Sequence, residues 1–500
     1  MKNNYFIYML SFFTGFLSLS QEIIWIRLIS FAGMSVPQTF SFSLAFFLIG
    51  IALGAQIGKS ICENIPEITF NRIGYFFLLA GIVDILLITI VYFFTKFYQT
   101  SFTLLAFCIL VCAMTRGIIF PIVHHVGTSK IKSGAQISNV YFANVFGSAL
   151  APILVSFVIL DHFSTQNAYY FICFITLLVG AICIQNNVIR VSITSLVIIS
   201  FAGLSHISNL IYILSKDSYK PDLLPHKIIE NKHGFIQLYH DNNEEVVFGA
   251  NVYDGKFNTD IFINNNGIDR AYLLASMKNN AENVLVIGLS TGSWVKVLST
   301  MPSMKKMTII EINPAYIEII KNDLRVSKIL KDERIEIVFD DGRKWLKNNK
   351  DKKFDLILMN TTWNWRAYAS NLLSIDFLKL AGDSLNSSGI IFYNTTGSLD
   401  TYYTASQVFP YVYKYKAMAL VSHQDPSITY LDVKKNLCSL KHHHNQQLIF
   451  KTQAQCDNAY KLIADNDFTS YEKANLNTWR PLEIITDDNM ITEYKYGKGL

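Results

Sequence analysis

Long, nearly unbroken stretches of apolar residues dominate the first 215 positions of the chain. A helix that spans a membrane needs about 20 largely apolar residues, and seven stretches reach or approach that length. They lie near residues 5–29, 38–60, 73–95, 100–126, 136–160, 167–185 and 191–214. The first is too long to be only a signal peptide. The pattern predicts a multi-pass transmembrane helical domain over residues 1–215.

The basic residues between these stretches predict its orientation, because cytoplasmic loops are rich in Lys and Arg. Alternate loops on one side carry Lys2, Lys59, Arg72, Lys130, Lys132 and Arg190, and the other side carries Arg27 and Lys96. The N-terminus is therefore expected in the cytoplasm, with the domain in a bacterial inner membrane. Seven crossings would place the rest of the chain outside the cell, away from cytoplasmic cofactors. We therefore expect the last stretch, the least apolar with Ser205, His206, Ser208 and Asn209, not to cross, and the soluble part to be cytoplasmic.

Ionisable residues inside the apolar stretches are costly and are candidates for function. They are Glu22, Arg27, Asp84 and Arg116. An alternative is that Glu22 and Arg27 reach the membrane surface or pair within the bundle. Close helix packing is predicted by three glycines at a spacing of four, Gly50, Gly54 and Gly58.

The pattern changes in the second half of the chain, where short β-branched runs alternate with helical segments. The five runs are Asn283 to Leu289, Met307 to Ile312, Ile335 to Phe339, Phe354 to Met359 and Gly389 to Tyr393. This alternation is typical of βαβ units and a parallel sheet. It predicts an α/β Rossmann-like domain over residues 276–500, preceded by a small β region over residues 216–275.

Composition agrees with two unlike halves and narrows the possible partners. The chain is 51% hydrophobic and 16% charged, and residues 1–215 hold only 9 of the 43 Lys and Arg and 5 of the 38 Asp and Glu. The net charge of +5 leaves no strongly basic face, so nucleic acid is not an expected partner. Five of the seven cysteines lie in or beside apolar stretches, and the spacings match neither a disulfide framework nor a zinc site. The adjacent His442, His443 and His444 are not expected to hold a metal.

The residues that follow the predicted strands indicate the chemistry, since a doubly wound sheet binds its ligand at the carboxyl ends of its strands. A glycine turn, Gly288 to Ser293, follows the first strand. Glu311 ends the second strand, about 20 residues after the glycine turn, at the position where a carboxylate binds ribose hydroxyls. Asp340, Asp341 and Gly342 follow the third, close to where an adenine amine would lie. The Lys-Ser/Thr pair of a triphosphate site is missing, which favours S-adenosylmethionine or decarboxylated S-adenosylmethionine as co-substrate.

These residues resemble the spermidine synthase (polyamine aminopropyltransferase) family, in particular bacterial members with an N-terminal membrane domain. The motifs that carry the resemblance are His233 to Gln237, Tyr253 to Gly255, Val284 to Gly292, Glu311, Asp341-Gly342, Phe354 to Ile357 and Thr486-Asp487-Asp488 to Glu493-Tyr494, with Gly15-Phe16, Glu22, Trp25, Arg27, Gly50 to Gly54 and Asn139 to Gly147 in the first half. The resemblance implies that the co-substrate is bound by Gln237, Gly288, Thr291, Gly292, Glu311, Asp341 and Gly342.

The catalytic positions of the family differ in this chain. Its pattern after the fourth strand is DSSDP, but here Asn360 replaces the first, proton-accepting acid and Trp363 the second. An amide is not a general base near neutral pH. Thr291 stands where the family places an aspartate against the amine of the co-substrate, and Arg270 and Leu273 stand where it has an acid and a histidine. Candidate substitutes for the base are His240 and the adjacent Tyr239.

The segment after Asn360 is aromatic and basic, with Trp363, Trp365, Arg366 and Tyr368 where the family has its substrate-gating loop. These side chains suit a planar, apolar or anionic acceptor; the alternative is that the tryptophans only pack the loop. The leading interpretation is a membrane-bound transferase of this family, with aminopropyl transfer to a polyamine as its reaction. Transfer of a methyl or 3-amino-3-carboxypropyl group to a lipid-like or anionic acceptor is an alternative, as is a non-catalytic ligand-sensing domain on a transporter-like bundle. A homo-oligomer is possible, and no metal is expected.

Overall fold

The structure is a computed structural model that describes residues 2–500 except 66, 129–133, 189, 193, 196–208, 217, 243, 361, 427–428, 465–467 and 473–477. Lys130, Lys132, Ser205, His206 and Ser208, which entered the orientation argument, lie outside the described residues. The chain forms two compact units, Met1–Phe235 and Ile236–Leu500. The first ends 20 residues beyond the boundary predicted at residue 215, and Leu210, Asn231 and Phe235 contact its helices.

The first unit is a bundle of long apolar helices. They are α1 (Lys2–Ala32), α2 (Gln38–Asn64), α3 (Phe70–Phe97), α4 (Phe102–Thr128), α5 (Gly134–His162, with a π-helical turn at Val155–Ile159) and α6 (Thr165–Cys183). Within the described residues, these six are long and apolar enough to cross a membrane. A short helix α7 (Leu210–Leu214) and strand β1 (Lys227–Asn231) follow. Of the seventh predicted stretch, residues 196–208 lie outside the described part.

The glycine face of α2 packs closely on α4. A Cβ at Gly54 would lie 2.1 Å from the carbonyl oxygen of Met114, and one at Gly50 would lie 2.4 Å from that of Leu110. Gly58 makes the same kind of approach to Ile118. The close packing expected from this spacing is confirmed.

Two of the buried ionisable residues pair with each other in the bundle. Asp84 on α3 and Arg116 on α4 form an ion pair, with side chains 0% and 3% exposed. Arg27 on α1 instead donates to Thr165 Oγ1 at 3.0 Å and to the Asn231 carbonyl at 2.6 Å. An ion pair within the unit therefore accounts for Asp84 and Arg116, and hydrogen bonds within it account for Arg27.

The second unit contains an antiparallel ladder and a large mixed sheet. The ladder consists of β2 (Gly234–Asp241), β3 (Glu244–Gly249) and β4 (Val252–Lys256). The large sheet is built from β5 (Asn283–Ile287), β6 (Lys306–Glu311), β7 (Ile335–Phe339), β8 (Phe354–Met359), β9 (Leu385–Asn394), β10 (Tyr411–Tyr415), β11 (Met418–Ser422) and β12 (Phe468–Ser470), in the order β12-β10-β11-β9-β8-β5-β6-β7.

Strands β5 to β9 are parallel to one another, and β10 to β12 add antiparallel pairs at the edge beside β9. The described helices of this unit are α8 (Asp269–Met277), α9 (Ser293–Leu298), α10 (Tyr316–Asn322), α11 (Gly342–Asn348), α12 (Ile375–Asp383), α13 (Leu399–Ser406), α14 (Tyr430–Ser439) and α15 (Gln453–Ala464), with 3-10 turns at Ser327–Lys331 and Ala369–Leu372. Because β5 pairs with β6 on one side and β8 on the other, the crossovers change direction beside β5. The Rossmann-like fold is confirmed.

The cysteine interpretation needs one correction. Cys438 on α14 and Cys456 on α15 form a disulfide, with Cα atoms 5.5 Å apart. The five cysteines of the first unit are free. Spacing alone did not reveal the pair, because the packing of α14 on α15 brings the two residues together.

Candidate active site

The glycine turn after β5 and the acid that ends β6 are joined by backbone hydrogen bonds. Gly288 has φ +90°, and a Cβ there would lie 2.6 Å from the Asn360 carbonyl oxygen. Glu311 is 5% exposed and accepts from the Leu289 amide at 2.8 Å and the Asn313 amide at 2.9 Å. Burial raises its pKa to about 7. The predicted carboxylate therefore lies beside the turn, without a basic partner in the hydrogen bonds described.

A cavity of about 400 Å³ lies beside this turn, at the carboxyl ends of the central strands. Its described lining comprises Tyr253, Asp254, Gly255, Asn266, Arg270, Leu289, Ser290, Thr291, Ser293, Trp294, Asn360, Thr362, Trp363, Asn394, Thr396, Gly397 and Ala417. The cavity thus brings together Thr291, Asn360 and Trp363 from the predicted site residues. The position agrees with ligand binding where crossovers change direction.

Thr291 and Ser293 form hydrogen bonds with the neighbouring ladder. Both hydroxyls donate to the Lys256 carbonyl, at 3.2 and 3.0 Å, and lie 2.9 Å from each other. Gly292 has φ +73°, and a Cβ there would lie 2.7 Å from Ile329. The turn therefore needs its glycines for conformation and close packing.

Asp254 is the acid that the described lining contributes, and the predicted site residues did not include it. Its carboxylate accepts from the Tyr316 hydroxyl at 2.7 Å. Burial raises the pKa of Asp254, while the Tyr316 and Ser290 hydroxyls and the charge of Arg366 act in the opposite direction. The Tyr253-Asp254-Gly255 motif was the available signal, but only the fold shows that Asp254 lines the cavity.

The loop after β8 carries the aromatic residues. Trp363 is 39% exposed, and its ring lies 6.2 Å from that of Trp365, in a stacked arrangement. Lys498 Nζ lies 5.1 Å from the Trp365 ring. Thr361 of this loop lies outside the described residues. Trp363 thus reaches the cavity lining, whereas Trp365 contacts the C-terminal segment.

The C-terminal segment fixes the same loop. Glu493 is 2% exposed and accepts from the amides of Tyr368 and Ser370 at 2.9 and 2.8 Å. The Tyr368 side chain is 76% exposed. Asp487 pairs with Arg343 and accepts from the Ser374 hydroxyl at 2.7 Å. The motif from Thr486 to Tyr494 therefore positions the loop, a role that its sequence did not indicate.

Arg366 lies near Asp254 but is not part of the described cavity lining. It donates to Thr362 Oγ1 at 2.9 Å. Burial lowers its pKa, and the nearby Tyr316 and Asp254 act in the opposite direction. The charge of Arg366 therefore lowers the pKa of Asp254, against the effect of burial.

Several predicted site residues lie outside the described cavity lining. Gln237 is fully buried and holds Tyr239 and Asn251 through its side-chain amide. His240 is exposed on β2, opposite Glu245. Asp341 caps α11 by accepting from the Lys344 amide at 2.7 Å, and a Cβ on the adjacent Gly342 would lie 2.6 Å from Ile287. The structure does not bring His240 or Tyr239 to the cavity as a substitute base.

Comparison with known proteins identifies one domain. Residues 271–436 match the spermine/spermidine synthase domain. A polyamine aminopropyltransferase of Clostridium botulinum (strain Eklund 17B / Type B) is 34% identical over 84 residues, which are 17% of this chain and 29% of that protein. One of Thermococcus onnurineus (strain NA1) is 27% identical over 166 residues, 32% of this chain and 58% of that protein.

Among solved structures, a spermidine synthase in complex with the transition-state analogue AdoDATO aligns with a TM-score of 0.39 and 18% identity, over 48% of this chain and 90% of that one. The chain spans less than two thirds of the length of the curated relatives it matches.

Proposed function

Since residues 271–436 carry a spermine/spermidine synthase domain, we propose that the second unit is an alkyltransferase that uses a sulfonium nucleoside. Aminopropyl transfer from decarboxylated S-adenosylmethionine to an amine, such as a polyamine, is the reaction that this family indicates. The six apolar helices of the first unit support an enzyme integral to the membrane.

The observation that carries the proposal is the placement of Glu311 beside the glycine turn. Its carboxylate accepts from two backbone amides and ends the strand next to β5, where a ribose diol is bound in this fold. Asp341 and Gln237 are not part of the described cavity lining, so adenine contacts by Asp341 remain a prediction.

The transfer itself needs mainly alignment, because the sulfonium is already an activated leaving group. The amine nitrogen attacks the carbon next to sulfur and forms a C–N bond. The C–S bond breaks, and its electron pair stays on sulfur as a neutral thioether. The amine then loses one proton.

Asp254 is the residue that we propose to accept that proton. It lines the cavity, and burial raises its pKa, which brings a carboxylate closer to the range useful for a general base. Asn360 lines the same cavity but has no basic group. Asp254 thus has the role of general base, for which the sequence had suggested His240.

The cavity also supports a second acceptor class. Asn360, Thr291 and Trp363 supply no negative charge for a polycation, and Arg270 adds a positive one. Methyl or 3-amino-3-carboxypropyl transfer to an anionic or lipid-like acceptor is therefore the alternative reaction. A sensing domain would bind the nucleoside without transfer.

Calorimetric titration of the detergent-purified full chain with 5′-methylthioadenosine and with both sulfonium nucleosides tests the proposal. We expect binding that Glu311→Gln weakens and that the exposed Glu318→Gln on the neighbouring α10 leaves unchanged. Incubation with labelled decarboxylated S-adenosylmethionine and putrescine then tests transfer. The nucleoside proposal fails if none of the three ligands binds.

A further inference from the structure

Arg270 is a cavity residue whose charge is not balanced by the surrounding protein. Within the described residues, its guanidinium makes one polar contact, from Nη1 to the Met418 sulfur at 3.9 Å. Its Nε is buried and has no hydrogen-bond partner. The preceding Asp269 is held by Lys416 and by the Tyr415 hydroxyl at 3.1 Å.

The backbone fixes the position of this guanidinium. Gly267 has φ +65°, and a Cβ there would lie 2.6 Å from Arg270 Nη2. The Trp294 ring lies 5.8 Å from the guanidinium carbon on another side. Arg270 is thus packed between a glycine and an aromatic ring, with donors available at the cavity.

We propose that Arg270 binds a carboxylate of the ligand, an inference that rests on the proposed function. A planar guanidinium matches a carboxylate with two parallel hydrogen bonds. The carboxylate can belong to the methionine part of intact S-adenosylmethionine or to the acceptor amine. Either source supplies the partner that Arg270 lacks.

Titration of the full-length Arg270→Gln variant separates these cases. With 5′-methylthioadenosine, which has no carboxylate, we expect affinity within twofold of the unchanged protein. If the donor supplies the carboxylate, S-adenosylmethionine should lose at least tenfold in affinity and the decarboxylated form should not. If the acceptor supplies it, 4-aminobutyrate should lose at least tenfold and putrescine should not, each measured with saturating 5′-methylthioadenosine.

Two controls keep the outcomes distinct. Arg325→Gln removes a half-exposed arginine paired with Asp323 and should change none of these affinities. The subsite is refuted if Arg270→Gln leaves both carboxylate ligands unaffected or weakens all five ligands equally. Absence of 5′-methylthioadenosine binding would refute the nucleoside proposal, while a carboxylate affinity that still depends on Arg270 would uphold the subsite.

A second inference concerns the side of the membrane on which the second unit lies, and it rests on different residues. Contacts mark the two ends of the bundle. At the N-terminal end, the Phe6 and Phe70 rings lie 5.2 Å apart, and the Gln185 amide donates to Asn71 Oδ1 at 2.8 Å. This end therefore holds the start of α1 and the residues just after α6.

The opposite end holds the residues that lead out of the first unit. Arg27, near the end of α1, binds the Asn231 carbonyl. At the start of α6, the Thr165 amide donates to Glu230 Oε2 at 2.8 Å, and Gln166 accepts from the Leu210 amide at 2.6 Å. The 19 residues of α6 separate these ends by about 28 Å at 1.5 Å per residue.

The chain therefore lies at the N-terminal end at Gln185 and at the opposite end at Leu210. Lys59, near the end of α2, and Arg72, near the start of α3, lie at the N-terminal end, which is the cytoplasmic end by the distribution of charge. The first unit thus ends at Phe235 on the other side.

The disulfide gives independent support. Cys438 and Cys456 are the two cysteines of the second unit, and they are joined. Disulfides persist in oxidising compartments such as the bacterial periplasm and are rare in the cytosol. We infer that the second unit lies outside the cytoplasm, the reverse of the placement expected from the sequence.

Labelling of intact cells with a membrane-impermeant maleimide tests, without any ligand, on which side of the membrane the second unit lies. Leu324 is 90% exposed in the second unit, and Glu67 is exposed in the loop before α3. In the full chain, we expect Leu324→Cys to be labelled in intact cells and Glu67→Cys only after lysis, with the sites mapped by peptide mass. The reverse pattern, or free thiols at Cys438 and Cys456 in acid-trapped cells, would overturn the inference.

Discussion

Buried charges are arranged differently in the two units. In the first, Asp84 and Arg116 neutralise each other between α3 and α4. In the second, Glu311 is held only by backbone amides, and Arg270 contacts a sulfur atom. A paired buried charge stabilises one packing arrangement, whereas an unpaired charge beside a cavity is positioned for a ligand. We therefore expect substitution of Asp84 or Arg116 to act on folding, and substitution of Glu311 or Arg270 to act on binding.

The largest expected effect comes from breaking the ion pair of the bundle. Asp84→Ala leaves Arg116 buried without its partner, which costs about 3–5 kcal/mol of stability. The double substitution Asp84→Leu with Arg116→Met should recover most of that loss. Unfolding of the detergent-solubilised protein would measure both.

Asp161→Ala is the matched control, since Asp161 pairs with Lys232 where both side chains are about one third exposed. We expect it to cost at most about 1 kcal/mol. Equal losses for Asp84→Ala and Asp161→Ala would remove the distinction between a buried and a surface pair.

The disulfide gives the second-largest expected effect. Cys438 and Cys456 are separated by 18 residues, and closing a loop of that size contributes about 3 kcal/mol in the chain-entropy model. Replacing both by Ser should lower the free energy of unfolding of the second unit by that amount. A reductant should lower the unchanged protein to the same value and leave the double variant unaffected. A stability that the reductant does not change would contradict the presence of the bond.

The third effect concerns ligand binding and its pH dependence. Glu311→Gln should weaken binding of 5′-methylthioadenosine by about 10- to 100-fold, the range for loss of hydrogen bonds to a charged group. Because burial raises the pKa of Glu311 to about 7 and ribose hydroxyls favour the ionised form, affinity should increase between pH 6 and 8. The variant should lose that increase.

Stability should change with the opposite sign. The folded pKa of Glu311 is raised above the ordinary 4.5, so its favourable contribution is present at acid pH and is lost as pH rises from about 4.5 through about 7. Glu311→Gln should therefore not destabilise the protein at pH 8. A variant that unfolds more readily there would assign Glu311 a structural role instead.

The sequence predicted most of the fold because its signals are local. Six of the apolar stretches and the five β-branched runs correspond to described helices and strands, and Glu311 lies at the predicted end of its strand. The site was less predictable because it depends on contacts distant in sequence. Asp254 reaches the cavity through the β2–β4 ladder, and Glu493 holds a loop more than 120 residues earlier. No local pattern encodes such contacts.

The smallest expected effect is that of Asn360→Asp, which tests whether a single side-chain atom makes this cavity unsuitable for a polyamine. Asn360 lines the cavity, and its backbone amide donates to the Ile287 carbonyl at 3.0 Å, so Asn360→Asp changes the side chain without altering the strand end. A charged acceptor roughly doubles the strength of a hydrogen bond, which corresponds to about 1 kcal/mol or a fivefold gain in putrescine affinity. Stability should change by less than about 0.5 kcal/mol. Thr362→Asp, two residues along the same lining, is the matched control for added charge. An equal gain in putrescine affinity in that variant would show that any acid suffices. No gain in either variant would indicate that Arg270 governs the choice of acceptor.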